Sequence, residues 1–187
     1  MTTTDPDQRL DLTRQALRHT ADAWQHGFTA AMGHDVHAAR RVMRGAQSRR
    51  SMLRSAHQHL QWSDPAPTVA YRRSSPIDIV SDLMRINRLL GQLSQSIIAA
   101  PDAEPVDDRQ RADLEVARRV GTERLGYFAD TMPRPQIHHD YITAGHAHLD
   151  ALADLADSMP RRGTTPDICL ALMIALVETS RHATRIA

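Results

Sequence analysis

The sequence contains no lysine; all 23 basic residues are arginine. That excludes lysine Schiff-base chemistry and the P-loop, both of which need a lysine amine. Cysteine is almost as scarce. Cys169 stands alone, so no internal disulfide can form, and the chain reads as a protein of a reducing compartment. Aromatics make up 4% of the residues and glycine occurs 8 times. An all-β domain draws on aromatic and β-branched strands punctuated by glycine-rich turns, so that class is disfavoured. Long apolar runs are missing too. The longest, from Ile168 to Val177, falls far short of the roughly 20 residues that a membrane span needs. It reads as a helix buried on nearly all sides. Met1 to Gln8 is polar and shows no signal-like segment.

What is present suits a globular chain. The 187 residues are 41% apolar and 24% charged, with a net charge of +1, enough to bury a real core. No global field invites nucleic acid, and no aromatics are interleaved with the arginines. The charge is nonetheless uneven. Residues 1–100 hold 13 Arg and 8 acids, while residues 101–187 hold 10 Arg and 14 acids. A basic half joined to an acidic half suggests pairing of the halves, within one chain or in a homodimer.

Punctuation divides the chain into helical stretches. Asp5-Pro6 opens the first, which runs to Met32 with Leu17, Ala21, Trp24, Phe28 and Ala31 at helical spacing. Gly33 ends it as a C′ residue would. Asp35 caps a second stretch to about Gln61. Residues 63–75 read as a loop, and Ser75-Pro76 restarts a helix. Ile79, Leu83, Ile86, Leu90, Leu93 and Ile97 then alternate steps of four and three, the seam of a bundle helix. Pro101 to Asp108 is an acidic linker bearing prolines. A fourth helix is expected from about Arg109 to Thr131, a fifth from about Gln136 to Ser158, and a sixth from Thr165-Pro166 onward.

The fold expected is therefore all-α, a tandem repeat of two antiparallel three-helix bundles. Residues 1–100 form the first, 101–108 link them, and 109–187 form the second. The Ser75-Pro76 and Thr165-Pro166 caps fall at the same place in each half.

Three segments resemble the PhoU family of phosphate-uptake regulators. The first is Ala30-Ala31-Met32-Gly33-His34-Asp35-Val36-His37-Ala38-Ala39-Arg40-Arg41-Val42-Met43. The second is Asp82-Leu83-Met84-Arg85-Ile86-Asn87-Arg88-Leu89-Leu90-Gly91, and the third is His182-Ala183-Thr184-Arg185-Ile186-Ala187. The resemblance implies a non-enzymatic, cytoplasmic adaptor that restrains phosphate uptake and phosphate-starvation signalling through protein contacts. It would sit at the inner face of the membrane. The implied partners are the phosphate ABC-transporter ATPase or the phosphate-sensing histidine kinase. The chain departs from the family at its metal motif: no acid lies between Asp82 and Asp102, so the third helix carries no Glu-x-x-x-Asp.

Two sets of residues are site candidates. Arg40, Arg41, Arg44, Arg49, Arg50 and Arg54 lie on the second helix, which has no acid from Val36 to Trp62. They suit an acidic partner or an anionic surface. Glu178 and His182 are one turn apart and suit a single divalent metal ion; with other histidines they are the basis of an alternative metal- or small-molecule-binding reading. His138, His139, His146 and His148 share no coordinating face and read as polar surface positions. Serine, histidine and aspartate occur, but no nucleophile elbow frames them, so no enzyme is expected.

Overall fold

The computed structural model describes residues 6–61, 76–131, 150, 154 and 164–186. Among these residues the molecule is all-helical, with no strand. The helices are α1 (Pro6–Gly33), α2 (Val36–Gln61), α3 (Pro76–Ala99), α4 (Asp108–Thr131) and α5 (Thr164–Ile186). The expected fifth stretch lies outside the described residues, apart from Asp150 and Asp154, both helical. The loop expected at 63–75, its Ser75 cap and the histidines at 138–148 lie outside them as well.

The helices bury one contiguous apolar cluster to which all five contribute. The six seam residues of α3 are at most 4% exposed, as their spacing requires. α1 turns Leu17, Trp24 and Phe28 into the same core. Chain neighbours pack together, α1 on α2 and α2 on α3. The most extensive pairing, however, is α1 on α4, and α3 packs along α5. Residues 100–107 are non-helical, as the linker reading expects, yet the core runs across that point without interruption.

The α1–α4 seam is close where α4 sets small residues, Ala117 and Gly121, against the indole of Trp24. Trp24 is fully buried, stacks on Phe28 with ring centroids 4.6 Å apart, and donates its Nε1–H to the carbonyl of Ala117 at 3.1 Å. Gly121, one turn beyond Ala117, lies directly under the indole. A Cβ there would fall 2.2 Å from Trp24 Cε2.

One expectation needs correction. Gly33 remains helical, and His34 takes the left-handed position with φ 50°. The Asp35 N–H closes the turn on the Ala30 carbonyl at 2.9 Å, which is the Schellman pattern. The left-handed conformation costs about 1 kcal/mol for a residue with a Cβ. The His34 side chain offsets it, because its Nε2–H donates to the Ala100 carbonyl just beyond α3. The run from Ile168 to Val177 is buried on nearly all sides, as expected, with nine of its ten residues in the core or packed against it. Cys169, Leu172, Met173 and Leu176 are fully buried, but Ile174 is 41% exposed. α5 packs chiefly on α3 and only slightly on α4, so one of its faces is left without a helix among those described.

Asp35 caps α2 as expected. Its Oδ1 accepts the N–H groups of His37 at 2.8 Å and Ala38 at 3.0 Å. The Ala38 bond, more than any other influence, holds the carboxyl below its ordinary range. Asp35→Ala is expected to cost about 1 kcal/mol in urea unfolding. A carboxyl depressed on folding stabilises above its unfolded pKa, and that contribution fades as the pH falls through the folded pKa. The gap between wild type and variant should therefore narrow in acid; a gap that did not change with pH would show that the ionised carboxylate is not the cause.

Candidate functional site

α2 carries the basic surface. Arg40, Arg41, Arg44, Arg50 and Arg54 are all exposed. At about 100° per residue they occupy one half of the helix circumference. No carboxylate shares the helix. His37, Arg40, Arg41, Met43 and Arg44 line a shallow recess at its N-terminal end.

Arg49 does not belong to that surface. It is 6% exposed, with its guanidinium inside the protein. Its Nε–H donates to Asn87 Oδ1 and Nη2–H to the Val42 carbonyl, both at 2.8 Å. Gly45, one turn earlier, leaves room for Nη1, which would lie 2.5 Å from a Cβ there. Burial pushes the Arg49 pKa down from its ordinary value. The spacing itself carried this signal. Arg49 follows Arg40 by nine residues, about half a turn of the wheel, and shares the inner face with Val42 and Leu53. Asn87, the only asparagine in the chain, is 5% exposed and was not singled out as a site residue.

A second groove opens between α2 and α3. Its lining includes Arg50, Arg54, Ser81, Met84, Arg85 and Arg88, with Leu53 and Asn87 at its base. Arg85 Nη1 contacts Glu178 Oε2 across to α5. Glu178 is thus held by a guanidinium; its expected role was as a ligand beside His182, whose backbone continues α5. Among the described residues no group of three or more His, Cys, Asp and Glu side chains converges as metal ligands would.

Cys169 is fully buried, and desolvation pushes its thiol up to about 12. It stays protonated and unreactive at neutral pH. No helix among the described residues is long and apolar enough to cross a membrane. No family model matches the chain, and neither a curated protein nor a solved structure matches it.

Proposed function

We propose that this protein is a non-enzymatic docking module that presents the arginine face of α2 to an acidic protein partner. One observation carries the reading: five exposed guanidiniums crowd a helix that has no carboxylate to neutralise them. Such a field steers and orients an acidic surface. The PhoU resemblance supplies the finer version. In it, the sixth helix completes a tandem repeat of three-helix bundles. The partner is the phosphate-transporter ATPase or the phosphate-sensing kinase, and docking restrains phosphate uptake. The pairing of α1 with α4 and of α3 with the last helix supports a repeat, because each joins elements three apart in that order. The Arg85–Glu178 contact weighs against a metal ion at Glu178.

The test is capture from phosphate-replete cells with the full chain as bait. The wild type should recover the ATPase or the kinase. A variant carrying Arg40→Glu, Arg41→Glu and Arg44→Glu should lose it by about tenfold or more, since reversed charge opposes the encounter. Equal recovery by both baits, or recovery of neither partner, overturns the reading.

A further inference from the structure

Four arginines line the groove between α2 and α3. Arg50 and Arg54 stand one turn apart on one wall, and Arg85 and Arg88 one turn apart on the other. All four are exposed. A fifth guanidinium lies behind the base, where buried Arg49 holds the Asn87 side chain. The lining includes no carboxylate. Glu178 reaches Arg85 from α5, and among the described residues none pairs with Arg50, Arg54 or Arg88. Like charges held this close repel one another, and a bound anion relieves that repulsion.

We propose that this groove binds a small polyanion of linked phosphates, an inorganic oligophosphate. Three features select that chemistry. The groove encloses about 460 Å³. A docked helix would find no apolar stripe along it, its only apolar lining residues being Leu53 and Met84, which disfavours an amphipathic acidic helix as occupant. No aromatic ring lines it, so a nucleobase would have no stacking partner. Its apolar residues are Leu53, which is fully buried, and Met84, which is half-buried, so a lipid chain would gain little. What remains is a set of planar forks, each able to hold two phosphate oxygens at once. The binding needs no protein partner, and it shares only Arg50 and Arg54 with the arginine face of α2.

Calorimetric titration of the full chain with tripolyphosphate at about 0.15 M salt, where charges outside the groove are screened, tests the proposal. One equivalent should bind, about tenfold more tightly than the tricarboxylate citrate. The double variant Arg54→Gln/Arg88→Gln should lose about tenfold or more in affinity. Arg40→Gln/Arg41→Gln, outside the groove, should stay within about twofold. Glu178→Gln frees Arg85 and should tighten binding about threefold, which a purely structural role for the groove arginines would not produce. Absence of binding, equal affinity for citrate, equal losses in the two double variants, or no tightening in Glu178→Gln would each overturn it.

Discussion

Replacing Gly121 by alanine is expected to destabilise the protein by about 2 kcal/mol or more. The added Cβ would lie 2.2 Å from both Cε2 and Nε1 of Trp24. The indole cannot easily retreat. It is fully buried, stacked on Phe28 and tied to the Ala117 carbonyl. Overpacking of this kind costs about 1–3 kcal/mol and occasionally more. The higher helix propensity of alanine returns only about 1 kcal/mol. Gly126, further along α4 and on a different face, is the internal control, because nothing lies within 4 Å of its would-be Cβ. Gly126→Ala should stabilise by up to about 1 kcal/mol. Thermal unfolding should therefore separate the two alanine variants by about 10 °C. Trp24→Leu in the Gly121→Ala background should recover part of the loss. Similar melting temperatures for the two alanine variants would mean that α1 and α4 do not approach this closely at Gly121.

The second large effect centres on the buried pair Arg49 and Asn87. Asn87→Leu removes the acceptor for Arg49 Nε and strands a cation that is 6% exposed. Losing a neutral hydrogen-bond partner of a buried charged group costs about 2–3 kcal/mol, because the Nε–H is left unsatisfied. Arg49→Met alone should cost less, since it leaves the neutral amide of Asn87 and the Val42 carbonyl without the guanidinium. The double variant Arg49→Met/Asn87→Leu replaces both polar groups with apolar side chains of similar length. It should return to within about 1 kcal/mol of wild type. Urea unfolding of the four proteins gives the coupling directly. Additive losses would show that the two side chains do not depend on each other.

These two sites also mark where sequence reading succeeds and where it stops. The α3 seam was legible because a three-and-four alternation of apolar residues has one physical solution, burial along a single stripe. The Asp35 cap was legible because aspartate ahead of an apolar-periodic stretch satisfies otherwise orphaned N–H groups. Arg49 was misassigned for a definable reason. It was grouped with its neighbours by charge, whereas its wheel position puts it on the inner face. His34 escaped because a glycine adjacent to a helix end is the usual left-handed residue. Only the contact with the Ala100 carbonyl shows why histidine takes that place.

The sequence by itself determined local matters: helical class, most helix ends, the apolar stripes and the basic character of α2. Each of these depends on residues within a few turns of one another, so periodicity and capping chemistry suffice to specify them. Tertiary structure alone decided which helices meet. Gly121 accommodates Trp24 from a helix almost a hundred residues away in the chain. Asn87 receives Arg49, and Arg50 and Arg54 face Arg85 and Arg88 across one groove. Such pairings follow from shape and desolvation at the packed interface, properties that no single helix possesses until its neighbour arrives.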